Sequence, residues 1–372
     1  MIRITLTRYY RGMAAVRVRL RLVAAALVLL AGFLLPAPAP AASSSFTIGD
    51  QAVVQVWAGN RSTVAIRAWD RPNVQIDTDD ENVQVLRRPL EFGTPQNPLS
   101  VAIPPVNIVV RDPFGGTNGP GTLPPEEFPY ASDFRAGVHD ALRVVTGAGA
   151  HVSVMVPAST AILDARVRGS GILTIDDYHG GTLFVGTGGG NVRLTDITSA
   201  AFIQVLNGRV DVRDSSFDRL RARGNTAGFL FDHTRARQIE VTTVSGPVVY
   251  DDGAFDAGLA RFESTSGSIA IGVATSAQIE ARSGDGRVFS LWDRRPPLDQ
   301  RADNAASVAV NGGGPVVNAV SMHGNVYLYD GTLATRRTVP PEWQPIVSAT
   351  RPRELPGPAA FQRFQRFRDF RN

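Results

Sequence analysis

The sequence predicts an all-β protein: a single-stranded β-helix, or β-solenoid, of about eight rungs, preceded by a small antiparallel sheet. Two observations predict this fold. Short segments alternate apolar and polar residues at a period of two, and glycines followed by apolar residues recur every 18 to 21 residues. The chain of 372 residues is 43% apolar, which supports a buried core, and its 36 Gly and 25 Pro indicate turns.

Residues 1–42 have the features of a secretory signal peptide. Six arginines and no acidic residue precede an apolar run at 22–35, and PAPAPAA then offers small residues for cleavage. This run of 14 residues is shorter than the ~20 that a membrane-spanning helix needs, and no later segment is apolar enough to span a bilayer. We therefore expect an extracytoplasmic protein (secreted, periplasmic or at the cell surface), with an uncleaved anchor helix as the alternative.

Residues 43–88 alternate in the manner of strands. Four segments place apolar residues at every second position, with turn residues between them: VVQVW (53–57), TVAIRAW (63–69), NVQID (73–77) and NVQVL (82–86). They predict the small N-terminal antiparallel sheet.

Residues 89–150 are rich in Pro and Gly and predict a long loop or insertion. After Ser132 and Asp133, apolar residues recur at helical spacing and predict one short helix, with Phe134, Val138, Leu142 and Val145 on its apolar face.

Residues 151–332 contain the repeat. Its glycines open the segments GIL (171–173), GNV (190–192), GRV (208–210), GFL (228–230), GPV (246–248), GSI (267–269), GRV (286–288) and GNV (324–326). The last interval is 38 residues, which equals two units. A unit of two short strands cannot bury its own apolar face, so neighbouring units must cover it, which favours a β-solenoid domain. An antiparallel meander rolled into a sandwich is the alternative.

Composition excludes several chemistries. The chain has no Cys, and all 38 basic residues are Arg, so disulfides, thiol catalysis, Cys-based zinc sites and lysine Schiff bases are excluded. Without residues 1–42 the net charge is −2, because residues 333–372 carry +5 and residues 43–332 carry −7. This balance does not favour a nucleic-acid partner.

An aspartate ladder is the clearest candidate site. Six residues after a unit glycine stand Asp177, Asp196, Asp214, Asp252 and Asp330, whereas Thr234, Val273 and Trp292 interrupt the series. Stacked on neighbouring rungs, these carboxylates would lie about 5 Å apart and would bind Ca²⁺ or a polyol. The alternative is a set of Asx-turns in which each Asp binds the backbone of its own corner. The candidate binding residues are Asp177, Asp196 and Asp214. Tyr178 and His179, which lie in a turn beside Asp177, are candidates for contacting a sugar.

An enzyme is the alternative to a binding protein. The pairs Asp176-Asp177 and Asp251-Asp252, with Arg193, Arg209 and Arg213 nearby, are residue types that polysaccharide lyases and hydrolases use. However, adjacent residues of a strand point to opposite faces, so such pairs are not automatically dyads. No G-x-S-x-G and no metal-ligand His spacing occur, so we predict no catalytic residue, no metal and no cofactor.

The basic, Pro-rich tail at 333–372 ends in FQRFQRFRDFRN. Its Phe and Arg residues alternate and are candidates for anchoring the protein to an anionic surface: Phe361, Arg363, Phe364, Arg366, Phe367, Arg368, Phe370 and Arg371. Docking onto the acidic body and a solvated tail are the two alternatives.

A family resemblance rests on WDRPNVQI (69–76), VSVMVPAST (152–160) and the repeated Gly-x-Val units. These segments resemble the bacterial adhesin-like domain family of unknown function DUF4097, over about 45–88 and 151–330. The resemblance implies a β-helical extracytoplasmic domain and supplies no catalytic residues. We therefore expect a non-enzymatic, adhesin-like structural or binding protein of the cell envelope. It would contact a polysaccharide or another anionic surface through a repetitive solenoid face, and a carbohydrate-active enzyme on the same fold is the alternative.

Overall fold

The computed structural model describes residues 42–87, 90–92, 137–256, 258–290 and 304–330. Within these residues every regular element is a β-strand, which confirms the all-β prediction. The first strands are β1 (Ala42–Thr47), β2 (Val53–Ala58), β3 (Thr63–Trp69), β4 (Asn73–Thr78), β5 (Gln84–Arg87), β6 (Leu90–Phe92), β7 (Gly137–His139), β8 (Ala141–Val145) and β9 (His151–Pro157).

The repeat region continues the strand series without interruption. Its strands are β10 (Ile162–Val167), β11 (Ile172–Asp176), β12 (Thr182–Thr187), β13 (Asn191–Thr195), β14 (Thr198–Val205), β15 (Arg209–Arg213), β16 (Ser216–Gly224), β17 (Gly228–Asp232), β18 (Arg235–Thr243), β19 (Val248–Phe255), β20 (Ala260–Ser264) and β21 (Ile269–Val273). The last strands are β22 (Ala277–Ser283), β23 (Val288–Ser290), β24 (Ala305–Val310), β25 (Val316–Ser321) and β26 (Val326–Asp330).

From β10 to β21 each strand pairs in parallel with the next strand but one. Odd-numbered strands form one ladder, which we call sheet A, and even-numbered strands form a second ladder, sheet B. One strand of each sheet therefore makes one rung. This parallel pairing is that of a β-solenoid, whereas the strands of a meander would pair antiparallel. Inward side chains of both sheets alternate with outward ones and share a single core, from Val54 to Leu328.

The N-terminal strands do not form a sheet of their own. Together β2 and β3 form a rung that lies between the rung β8/β9 and the rung β10/β11. β2 pairs in parallel with β8 and β10, and β3 pairs in parallel with β9 and β11. The prediction of a separate antiparallel sheet is therefore wrong for β2 and β3. Antiparallel pairing occurs outside this rung, where β4 and β1 extend sheet A beyond β9 and β5 extends sheet B beyond β8.

The described part of the predicted helix, residues 137–145, forms two strands instead. β7 pairs with β6, and β8 pairs with β2 and β5. Leu142 and Val144 are both fully buried, whereas Arg143 between them is only partly buried, so the segment alternates at a period of two. Two flanking strands supply hydrogen bonds to β8, and this tertiary pairing outweighs the helical spacing of its apolar residues.

The C-terminal rungs are also out of chain order. β25 and β26 lie between β20/β21 and β22/β23, and each pairs in parallel on both sides. Between β23 and β25, β24 runs antiparallel to β22 at the end of sheet B.

Close contact between rungs explains the recurring glycine. A Cβ added to Gly190 would lie 2.3 Å from the carbonyl oxygen of Gly171, and one added to Gly267 would lie 2.0 Å from that of Gly246. Neither distance is compatible with a side chain, so only glycine lets the rungs stack here. A hydroxyl three residues earlier accepts the glycine N–H, for example Ser264 Oγ from Gly267 N at 2.7 Å.

Candidate functional site

Four aspartates of the ladder, Asp177, Asp196, Asp214 and Asp252, occupy one corner of their rungs. The column has left-handed backbone throughout, with φ of 57° at Asp177, 54° at Asp196, 48° at Asp214, 50° at His233 and 48° at Asp252. The N–H groups of the first four corner residues donate to the next rung, for example that of Asp177 to Thr195 O at 3.1 Å. Short polar side chains tolerate this backbone region best after glycine, which accounts for Asp at the corner.

Three of the corner carboxylates, those of Asp177, Asp196 and Asp252, contact side chains of other residues. Asp177 accepts a hydrogen bond from Arg67 Nε at 2.6 Å, and Asp196 Oδ1 lies 3.1 Å from His179 Nε2. His233 lies between Asp232 (2.9 Å) and Asp252 (2.7 Å). These contacts differ from the Asx-turn, in which the carboxylate accepts the backbone N–H two residues on.

His233 also belongs to this column, although it is not the sixth residue after a repeat glycine and so is not among the sequence candidates. Gly228 lies opposite Arg209, one position past the glycine column, so the sixth residue after Gly228 is Thr234, which is buried. The signal that identifies His233 is the strand register, because Asp232 lies opposite Arg213 and the next residue turns the corner. Asp330 is the last residue of β26.

Tyr178 and His179 differ in access. Tyr178 is fully buried, its hydroxyl donates to Thr160 O at 3.1 Å, and burial raises the pKa of its phenol far above the usual value. A sugar at the surface cannot reach this ring, so the prediction of Tyr178 as a ligand contact is wrong. The ring packs against the backbone of Gly180, which has no side chain to keep it out. His179 is exposed, as a surface contact requires.

A guanidinium cluster lies on the outer face of sheet A beside this column. Arg193 of β13 is opposite Asp211 of β15, and Arg209 and Arg213 flank Asp211 on its own strand. Arg213 Nε and Nη2 donate to the two oxygens of Asp211 at 2.9 and 3.0 Å, and the Asp211 side chain is only 4% exposed. Three positive side chains therefore share one buried carboxylate. The alternation R-x-D-x-R at 209–213 is the sequence signal for this arrangement.

The electrostatics of the cluster follow from burial and like charge. Burial lowers the pKa of the Arg209 guanidinium. The positive charges of Arg213 and Arg193 lower this pKa further, and the negative charge of Asp211 raises it in part. Arg193 Nε is buried and has no hydrogen-bond partner in the described structure. On the neighbouring strand, burial raises the pKa of Asp176, which weakens it as a counter-charge for Arg193. Such a site can accept an oxyanion.

Four other features raised by the sequence are a metal site, the basic tail, the signal segment and a membrane-spanning helix. Across the described ranges, no group of three or more His, Asp or Glu side chains is arranged to hold a metal ion. The tail candidates from Phe361 to Arg371 and all of the predicted signal segment except Ala42, the first residue of β1, lie outside the described residues. The described part of the chain also contains no helix that is long and apolar enough to cross a membrane.

The stacked rungs define a β-solenoid protein with regular outer faces. A model of the Toastrack DUF4097 family matches residues 133–328, more than half of the chain, and the chain belongs to this family. This confirms the resemblance inferred from the repeat motifs. No curated protein matches the chain. The solved structure of a "putative cell adhesion protein" from Clostridium sporogenes aligns at 9% identity with a TM-score of 0.26, and the alignment covers 78% of this chain and 99% of that one.

Proposed function

We propose that the protein is a non-enzymatic, adhesin-like binding protein that acts outside the cytoplasm. Its ligand would be an anionic polymer, such as an acidic polysaccharide of the cell envelope, and the contact surface would be the outer face of sheet A. The guanidinium cluster of Arg193, Arg209 and Arg213 carries this proposal. Guanidinium groups bind carboxylate, sulfate and phosphate oxygens in fixed, often bidentate geometry.

The balance of charge around the cluster supports an anionic ligand. Asp211 is bound by Arg213, and two of the nearby corner carboxylates, Asp177 and Asp196, are paired with Arg67 and His179. Arg193 is partly exposed, and its Nε has no hydrogen-bond partner among the described residues. An oxyanion placed beside Arg193 and Arg209 would supply the missing acceptor and reduce the repulsion between the two cations.

The repeat architecture supports a polymer rather than a small molecule. Rungs follow one another at about 4.8 Å, so one face presents side chains along a line that an extended chain can follow. Each contact with such a chain is shallow and weak, and affinity comes from several contacts made together.

Co-sedimentation with isolated envelope fragments and with polygalacturonate, a uronate polymer, tests the proposal. The full chain is compared with the double variant Arg193→Gln/Arg209→Gln and with Arg282→Gln, which removes an exposed charge elsewhere. We expect the full chain and Arg282→Gln to pellet with both, and the double variant to bind at least about tenfold more weakly. Binding should weaken as salt rises and should be absent with neutral dextran.

Two outcomes would overturn the proposal. Equal pelleting of the double variant and the full chain would exclude the cluster as the contact surface. Formation of new reducing ends or unsaturated uronates during incubation would show that the protein is a polysaccharide hydrolase or lyase instead. A melting curve for each variant separates loss of binding from loss of folding.

A further inference from the structure

The free edge of β24 is the feature that the proposed function does not use. β24 pairs antiparallel with β22 and forms the last strand of sheet B. Within the described residues no strand pairs with its other edge. Its sequence, AASVAV, contains no charge, Pro or Gly, which are the features that natural edge strands use to prevent pairing. At the opposite end of sheet B, by contrast, edge strand β5 carries Arg87, which is bound to Asp140.

Every second residue of β24 directs its backbone N–H and C=O groups toward this free edge. Ser283 N donates to Asn304 O at 2.8 Å, so Asn304 faces β22. Because the direction alternates along an antiparallel strand, Ala306 and Val308 also face β22, whereas Ala305, Ser307 and Ala309 direct their N–H and C=O groups outward. These three residues are also exposed. The edge thus offers three donors and three acceptors in the spacing of a β-ladder.

The edge is complementary to itself. In an antiparallel pair centred on Ser307, each Ser307 lies opposite its copy, Ala305 lies opposite Ala309, and Ala306 lies opposite Val308. All outward backbone groups then form hydrogen bonds, six in total by this geometry. The opposed side chains of the two β24 strands are small and uncharged, so these pairs do not repel each other. Ala306 and Val308, which are only partly buried at the end of the core, gain apolar cover.

We propose that the protein forms a two-fold symmetric dimer in which β24 of one copy pairs antiparallel with β24 of a second copy. The two B sheets join into one continuous sheet. The symmetric contact uses the same edge on both copies, so the assembly closes at two and does not grow into a fibre. Two strands of six residues bury less than the roughly 1,200 Å² of a standard interface, so the dimer is expected to dissociate at about micromolar concentration.

Sedimentation velocity of the full chain, from about 1 μM to about 1 mM, tests the association. We expect a shift from monomer to dimer with rising concentration. Ala309→Lys places a charge on the edge, and Ala305→Pro removes an outward N–H that makes no bond within the described residues, so both variants should stay monomeric and melt near the wild-type temperature. Val316→Lys, at an exposed position of the doubly paired strand β25, is the control and should still form the dimer.

Disulfide trapping tests the register, because the chain has no native cysteine. Ser307→Cys places two thiols on directly opposite residues about 5.5 Å apart between Cα atoms, which suits a disulfide. Under mild oxidation Ser307→Cys should form a covalent dimer at least about tenfold faster than Ala305→Cys, whose copies lie four residues out of register. A monomer at all concentrations, equal trapping at both positions, or open-ended polymers would overturn the proposal. None of these results bears on polymer binding through sheet A.

Discussion

Gly267→Ala is the substitution that most directly tests why glycine recurs in each repeat. Gly267 is buried where its rung meets the one before it. A Cβ at this position would lie 2.0 Å from Gly246 O, 2.7 Å from Gly246 C and 2.8 Å from Ser264 Oγ. Two of these three atoms are backbone and cannot rotate away.

The cost follows from the distance. Cβ atoms essentially never approach another heavy atom more closely than 3.0 Å, so the two rungs must separate by about 1 Å at this point. The same movement strains the hydrogen bond from Gly267 N to Ser264 Oγ. Overpacking of this kind costs about 3 kcal/mol, the upper part of the usual range. In a domain of this size that cost lowers the melting temperature by about 6–12 °C.

Thermal unfolding followed by circular dichroism measures the effect. Gly49→Ala is the matched control, because Gly49 is exposed and a Cβ there would meet nothing within 4 Å. We expect Gly49→Ala to melt within about 2 °C of the wild type. If Gly267→Ala melts at the same temperature as the control, close rung contact is not the reason for glycine in the repeat.

Three further predictions concern buried tyrosines and one ion pair. Tyr250 shares its hydroxyl proton between Thr234 O (2.6 Å) and Ala254 O (2.9 Å), so Tyr250→Phe should lower the free energy of unfolding in urea by about 1–3 kcal/mol; an unchanged midpoint would contradict this role. Burial raises the pKa of Tyr178, so above about pH 10 only the unfolded chain loses this proton and stability falls by about 1.4 kcal/mol per pH unit. Urea titrations from pH 9 to about 11 measure the fall of the unfolding free energy with pH in the wild type and in Tyr178→Phe. We expect the slope in Tyr178→Phe to be smaller by the same amount, and identical slopes in the two proteins would refute the linkage. The hydrogen bond from Arg87 lowers the pKa of Asp140, so their contribution to stability is present above about pH 4 and is lost as pH falls through the lowered value. Arg87→Met should therefore flatten the acid limb of the stability profile, and an unchanged limb would exclude the ion pair as its source.

The local features of the fold could be predicted from the sequence because they depend on neighbouring residues. Alternation at a period of two predicts strands, and the glycine interval predicts the rung, since a rung uses one such interval of chain. The aspartate column also follows from local chemistry, because a left-handed corner favours Asp where glycine is absent. The Toastrack family assignment rests on these same repeats.

Rung order and side-chain access were decided by tertiary structure alone. Every rung presents a similar ladder, so no local pattern indicates that β2/β3 and β25/β26 are inserted between rungs distant in sequence. Long-range pairing likewise makes β8 a strand. The turn residue Tyr178 is buried because its ring packs on Gly180, and Arg193 meets Asp211 because strand register brings residues 18 positions apart side by side. The choice of pairing partner depends on the whole chain, and a short-range pattern that is similar in every rung cannot distinguish one partner from another.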